Sequence, residues 1–198
     1  IDLDFSLKKN LSNLADAKNK KFENLRICVL DRPRHKKIID EAKSLNIDVK
    51  LISDGDVSGA LLVTDEKYNI DLFLGTGGGP EGVLAASALD TYGCGFQGRF
   101  IFDTDELKKR ANEMGINDFD KKYKLSEIVK GDSLFCATGI TKGDLVNGLE
   151  LKNNKIIVKT LITHKSQNMK KIVTGEIDIK QWYLFPAKSG KNIKHPNV

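Results

Sequence analysis

Residues 25–34 are Leu25-Arg26-Ile27-Cys28-Val29-Leu30-Asp31-Arg32-Pro33-Arg34, an apolar run that ends in a charged turn. A short continuous apolar run is typical of a strand buried on both faces, as in a parallel sheet. Pro33 suits the first turn of a helix, so a helix is predicted over 33–45. The stretch therefore predicts a strand, a turn and a helix in succession.

Two more units of this kind follow. The pattern predicts strands over 49–52 and 70–74, and helices over 57–63 and 80–89. Strands that alternate with helices indicate an α/β protein with a doubly wound parallel sheet, in which the turns after the strands meet at one crevice. We name these turns the basic turn (Asp31-Arg32-Pro33-Arg34), the acidic turn (Asp54-Gly55-Asp56) and the glycine turn (Gly75-Thr76-Gly77-Gly78-Gly79-Pro80-Glu81-Gly82).

The remaining residues carry weaker patterns. Residues 1–24 are expected to form a linker or an initial helix, ahead of a substrate-binding domain over 25–198. Helices are predicted over 105–114 and 125–129, and a strand over 133–137. Beyond them, up to the segment 177–182, apolar residues alternate as in antiparallel or mixed strands, so the expected fold is α/β with a mixed sheet.

Composition excludes several protein classes. The 198 residues, 40% hydrophobic and 30% charged, suit a soluble domain with its own core. No apolar stretch approaches the roughly eighteen residues of a membrane span, so we expect no membrane partner and a cytoplasmic location. The net charge is +5, but only 5 of the 32 basic residues are arginine and the lysines are scattered, so nucleic-acid binding is not expected. Cys28, Cys94 and Cys136 suit neither a disulfide framework nor a metal knuckle.

The basic and acidic turns have complementary chemistry. Arg32 and Arg34 flank one proline, where their planar guanidinium groups can hold phosphate oxygens bidentately. Asp54 and Asp56 can accept hydrogen bonds from sugar hydroxyls, help to hold a metal, or cap the next helix. Capping explains only one of these two residues, so we favour ligand contact.

The glycine turn allows backbone N–H groups to approach an anion at a helix N-terminus. Glu81 would repel a phosphate there unless a divalent cation lay between them. A purely structural turn is the alternative. A dinucleotide-binding fingerprint is disfavoured, because Pro80 occupies its sixth position.

The three histidines, His35, His164 and His195, have no partner at metal-ligand spacing and belong to no motif of a catalytic triad. Surface or structural roles are expected for all three.

Five segments in order resemble the class II fructose-1,6-bisphosphatases, over a match from about Leu25 to about Thr163. The resemblance implies the layered α/β sandwich that fructose bisphosphatases share with inositol monophosphatases. It also implies metal-dependent hydrolysis of the 1-phosphate of fructose 1,6-bisphosphate to fructose 6-phosphate, as in gluconeogenesis. The segments are Val29-Leu30-Asp31-Arg32-Pro33-Arg34-His35, Leu51-Ile52-Ser53-Asp54-Gly55-Asp56-Val57, Gly77-Gly78-Gly79-Pro80-Glu81-Gly82-Val83-Leu84-Ala85-Ala86, Gln97-Gly98-Arg99 and Ala137-Thr138-Gly139.

Carried over residue by residue, the resemblance assigns a phosphate grip to the basic turn, sugar contacts to the acidic turn and a backbone contact to the glycine turn. A metal-activated water would attack the 1-phosphate while the arginines orient the ester. A homo-oligomer is also implied. The implied substrate contacts are Arg32, Pro33, Arg34, Asp54, Gly55, Asp56 and Gly78, and the implied ligand of Mn²⁺ or Mg²⁺ is Glu81.

Family members carry a substantial N-terminal portion ahead of the segment that matches Ile1, and this portion holds most of the metal carboxylates. The resemblance therefore implies the C-terminal, substrate-binding part of an enzyme, and no catalytic residue is assigned here. Two alternatives stay open. One is a sedoheptulose-1,7-bisphosphatase or dual-specificity enzyme, whose substrate has nearly the same 1-phosphate end. The other is a non-catalytic sugar-phosphate-binding module.

Overall fold

The structure is a computed structural model that describes residues 1–179. His195 and the end of the predicted strand over 177–182 lie outside the described residues. The helices are α1 (Leu7–Lys18), α2 (Lys36–Ser44), α3 (Asp56–Leu61), α4 (Gly79–Asp90), α5 (Asp105–Glu113) and α6 (Leu125–Ile128). The strands are β1 (Arg26–Leu30), β2 (Asp48–Ile52), β3 (Leu72–Leu74), β4 (Gln97–Gly98), β5 (Tyr123–Lys124), β6 (Leu134–Thr138), β7 (Glu150–Lys152), β8 (Lys155–His164) and β9 (Met169–Asp178).

A parallel sheet with the strand order β2-β1-β3 organises the first part of the chain. Side chains alternate between the faces of a strand, so Ile27 and Val29 of β1 enter one apolar cluster, with α1 and α2. Cys28 enters a second cluster, with Leu62 and Ile70. Because β1 is covered on both faces, its sequence is a continuous apolar run.

Helix α1 belongs to this core. Its Leu11 is 0% exposed and packs in the same cluster as Ile27. The helix begins after Ser6, whose hydroxyl accepts a hydrogen bond from the backbone N–H of Lys9. Residues 1–24 thus supply one of the two helices on that face of the sheet.

Asp71, next to β3, ties α1 to the sheet. Its side chain is only 3% exposed, and it accepts hydrogen bonds from Lys18 Nζ (2.6 Å), Lys20 Nζ (2.7 Å) and the backbone N–H of Arg26 (2.9 Å). Burial raises the pKa of this carboxyl, but the bonds from Lys18 and Lys20 outweigh burial, so its pKa lies below the usual value. The buried charge is therefore fully paired.

The chain divides into two compact units. One contains Ile1–Cys136 and Ile162–Lys171, and the other contains Ala137–Leu161 and, of the described residues, 172–179. Antiparallel pairs join β4 with β5 and β7 with β8, and β9 pairs with β8. Parallel and antiparallel sheets thus both occur, which confirms the predicted α/β class with mixed pairing.

The predicted elements are present with shifts at their ends. The helix predicted over 33–45 begins with a 3₁₀ turn, Pro33–His35, and α2 follows from Lys36. Among residues 1–179, no helix is long and apolar enough to cross a membrane. The three cysteines all lie in this range and are not joined in disulfides.

Candidate functional site

The carboxyl ends of β1, β2 and β3 bring the three named turns together. Arg34 Nε of the basic turn donates to the carbonyl of Thr76 in the glycine turn (2.6 Å). Arg32 Nη2 lies 3.8 Å from Asp54 Oδ1 of the acidic turn. The Asp56 carboxylate lies against the α-carbon of Gly77, where a Cβ would collide with it. The strand order reverses between β1 and β3, which is where such sheets form their binding crevice. The predicted convergence is observed.

Arg34 is exposed, yet a hydrogen bond to Thr76 fixes the orientation of its guanidinium group. Because Nε is bonded to Thr76, the plane of the guanidinium group is held. Within residues 1–179, no protein acceptor binds the terminal Nη1 and Nη2 groups. An arginine held in this way presents a ready fork to an anion with two oxygen atoms.

His35 follows Arg34 and is 0% exposed. The backbone N–H of Thr76 donates to Nε2 (2.8 Å), so Nε2 carries a lone pair and the proton belongs on Nδ1. Nδ1 then donates to the carbonyl of Leu30 at the end of β1 (2.9 Å). The expected structural role of His35 is confirmed, and it connects the basic turn with the glycine turn.

The acidic turn does not act as a helix cap. Helix α3 has Gly55 as its N-cap, with φ +86°, and no side chain caps it. Asp54 Oδ1 accepts a hydrogen bond from the backbone N–H of Gly55 (2.9 Å), and its side chain is 90% exposed. The capping alternative is therefore wrong, and the carboxylate of Asp54 is accessible to a ligand.

Helix α4 starts from the glycine turn, with Gly78 as its N-cap. Glu81, in the first helical turn, folds its carboxylate back over Gly78 at a distance that leaves no room for a Cβ. This position favours a negative charge because of the helix dipole. Within the described residues, however, no group of three or more His, Cys, Asp or Glu side chains is arranged to hold a metal. Glu81 alone is an incomplete metal site.

A shallow groove of about 750 Å³ runs beside α2 and includes Pro33 and Arg34. Its lining lies along one helix and the turn before it, whereas the convergent turns bring together residues from the ends of three strands. The convergent turns are therefore the better candidate. The other groove residues are Lys36, Lys37, Asp40, Glu41 and Ser44.

His164 forms a cluster with Asp132 and Ser166. Both the Asp132 carboxylate (2.6 Å) and the Ser166 hydroxyl (3.4 Å) meet the same ring nitrogen, Nε2. A catalytic triad needs the acid and the nucleophile on opposite ring nitrogens, so this cluster is structural, as expected for His164. Hydrogen bonds from Ser166, and then from His164, lower the pKa of Asp132 to about 2.

The family model described as bacterial fructose-1,6-bisphosphatase, glpX-encoded, matches residues 1–177. The chain belongs to this family. The match confirms the resemblance carried by the turns, and it extends over α1, beyond the range from Leu25 to Thr163.

Named relatives agree with this family. A Haemophilus influenzae protein named fructose-1,6-bisphosphatase class 2 is 39% identical, over 87% of this chain and 56% of the relative. A Synechocystis protein named D-fructose 1,6-bisphosphatase class 2/sedoheptulose 1,7-bisphosphatase is 35% identical, over 87% of this chain and 54% of the relative. A Microcystis aeruginosa protein of the same name is 37% identical, over 82% and 51%. The chain spans about half the length of these curated relatives.

Sequence reasoning missed two features of the candidate site, the bonds to the Thr76 peptide group and the buried link through His35. Thr76 acts through its backbone, which leaves no side-chain signal. His35 follows the basic turn, but no local pattern distinguishes a buried histidine from an exposed one there. The individual ligand roles of the other site residues stay predictions.

Proposed function

We propose that this chain provides the substrate-binding part of a class II fructose-1,6-bisphosphatase, which removes the 1-phosphate of fructose 1,6-bisphosphate. The observation that carries the proposal is the convergence of the three turns: Thr76 of the glycine turn holds the Arg34 guanidinium, and Arg32 lies beside Asp54 of the acidic turn. The names of the relatives support the same substrate.

The charge pattern of the three turns suits a sugar phosphate. Arg32 and Arg34 offer N–H donors to phosphate oxygens, with Pro33 setting the backbone between them. The carboxylates of Asp54 and Asp56 would repel a phosphate but accept hydrogen bonds from sugar hydroxyls, which are donors. Cationic and anionic turns side by side therefore favour a ligand that has both phosphate and hydroxyl groups.

The remaining assignments concern the start of α4. Gly78 has no side chain, so a ligand can approach its backbone closely. Glu81 offers the carboxylate oxygen that Mn²⁺ and Mg²⁺ prefer, and such an ion supplies an activated water and charge neutralisation when it is bound. Because the described residues do not complete a metal site, this chain's own part in the reaction is to bind and orient the ester.

Two other candidates stay open. The Synechocystis and Microcystis aeruginosa relatives carry both fructose and sedoheptulose activities in their names, which favours a dual-specificity enzyme. The other candidate is a non-catalytic sugar-phosphate-binding module, which would use the same three turns for binding alone. Competing kcat/KM values for the two sugars separate the enzymes, and binding without turnover by the intact protein identifies the module.

The decisive experiment has two parts. Calorimetric titration of the 198-residue chain with fructose 1,6-bisphosphate should show saturable binding that the Arg32→Ala/Arg34→Ala double variant loses. Phosphate release by the intact protein with Mn²⁺ should show turnover of the same sugar. A folded chain that binds no sugar bisphosphate would contradict the proposal. The homo-oligomer and the cytoplasmic location stay predictions, and light scattering would test the first.

A further inference from the structure

We propose that His35 is a positioning residue, which holds the glycine turn against the basic turn and so sets the place of Arg34 relative to Gly78. The inference rests on the proposed function, because it explains how the proposed sugar-phosphate site keeps its shape. It adds a role to a residue that contacts no ligand itself.

The burial of the ring is the first observation. Arg34 and the residues from Gly75 to Glu81 are exposed, whereas His35 is 0% exposed. A buried polar ring costs free energy unless its polar atoms are bonded, and here both ring nitrogens are bonded. Both partners are backbone groups, the carbonyl of Leu30 and the N–H of Thr76, so the bonds do not depend on the side chains of those residues.

The two groups bonded to the His35 ring lie at the ends of two different strands, β1 and β3. Nδ1 donates to the carbonyl of Leu30, the last residue of β1, and Nε2 accepts from Thr76, two residues beyond β3. The imidazole therefore crosses the point where the strand order reverses. A ring that bridges these two ends ties the glycine turn, which follows β3, to the end of β1.

Thr76 is held from both sides. Its N–H is bonded to His35, and its carbonyl is bonded to Arg34 Nε. The bond to Arg34 is exposed, so water competes for it, whereas the bond to His35 is partly buried and water competes for it less. Loss of the His35 bond would free the Thr76 backbone to move, and the guanidinium of Arg34, which is bonded to the Thr76 carbonyl, would then lose its fixed position.

A histidine that only stabilises the core makes a different prediction from one that positions the site. Two substitutions separate these roles, because each keeps one bond. Asparagine can place its amide N–H near Nδ1, which keeps the bond to Leu30 and loses the bond to Thr76. Glutamine can place its amide oxygen near Nε2, which keeps the bond to Thr76 and loses the bond to Leu30.

The experiment measures binding of fructose 1,6-bisphosphate to the full 198-residue chain by calorimetry, and hydrogen exchange of the Thr76 amide by NMR. We expect His35→Asn to weaken binding about tenfold or more and to expose the Thr76 amide to exchange. We expect His35→Gln to keep the amide protected and to bind within about threefold of the wild type. Asp71→Asn, which perturbs the opposite end of β3, is the control for a general loss of stability.

Each result decides the matter. Affinity that follows the protection of the Thr76 amide across the variants, with Asp71→Asn binding normally, supports the positioning role. Wild-type affinity in a His35→Asn chain whose Thr76 amide exchanges freely would overturn it and leave the proposed function standing. Equal losses in the asparagine and glutamine variants, with the amide still protected in the glutamine variant, would overturn it too. A folded wild-type chain that does not bind the sugar would overturn both proposals.

Discussion

Replacement of Arg34 by alanine should weaken the binding of fructose 1,6-bisphosphate by about 1.5–3 kcal/mol, the cost of losing a hydrogen bond to a charged group. This is about a 10- to 150-fold rise in Kd. The bond from Arg34 Nε to Thr76 already orders the side chain, which saves part of the roughly 0.5–1.5 kcal/mol that ordering such a side chain costs on binding. We therefore expect the effect to lie within this range although Arg34 is exposed.

Two companion variants sharpen the measurement. Arg34→Lys keeps the positive charge but loses the planar fork and the bond from Nε to Thr76, so it should show at least half of the loss. Lys36→Ala removes a nearby exposed charge outside the basic turn and should bind within about twofold of the wild type, because a single exposed charge contributes little. Calorimetry at a fixed salt concentration gives the three affinities. Equal losses in Arg34→Ala and Lys36→Ala, or no loss in either, would refute the assigned grip.

Further predictions concern the metal, packing and stability. Glu81→Ala should abolish the activation of phosphate release by Mn²⁺ in the intact protein, while an unchanged circular dichroism spectrum shows that the fold is kept. Normal activation by Mn²⁺ would exclude Glu81 as a ligand. Gly77→Ala should weaken sugar binding, because the new methyl group displaces the Asp56 carboxylate from the position assigned to sugar contact, and an unchanged Kd would contradict that assignment. Asp71→Asn should lower the free energy of unfolding by about 1.5–3 kcal/mol in urea, because it breaks charge-assisted bonds to a side chain 3% exposed. Asp132, with its folded pKa of about 2 below the unfolded value of about 3.9, contributes stability above about pH 4 that is lost as the pH falls toward 2. The difference in stability between wild type and Asp132→Asn should therefore shrink over that range, and a constant difference would contradict the low pKa.

The sequence predicted the three strand-turn-helix units because their signals are local. An apolar run that stops at a charged or glycine-rich turn indicates a buried strand directly. The strands Arg26–Leu30 and Asp48–Ile52 each begin within one residue of the predicted start and end at the predicted residue. The small shift at the start of α2 arises because a proline permits either a 3₁₀ or an α turn.

Contacts between distant residues could not be predicted in the same way. Asp71 is the one charged residue in the apolar run predicted as the strand 70–74, and Lys18 and Lys20 lie in a segment expected to be a linker or an initial helix. Nothing local indicates that these charges meet in a buried cluster. The same applies to the Asp56 carboxylate and Gly77, which are neighbours only because β2 and β3 flank β1.

The sequence by itself determined the order of the elements, the chemistry of the three turns and the family to which they belong, because each depends on residues close together in the chain. The tertiary structure alone decided the strand order β2-β1-β3, the burial of His35 and the double hold on Thr76. These features depend on which strand ends become neighbours. That choice is made by the packing of both sheet faces against helices from separate parts of the chain, and no local pattern encodes it.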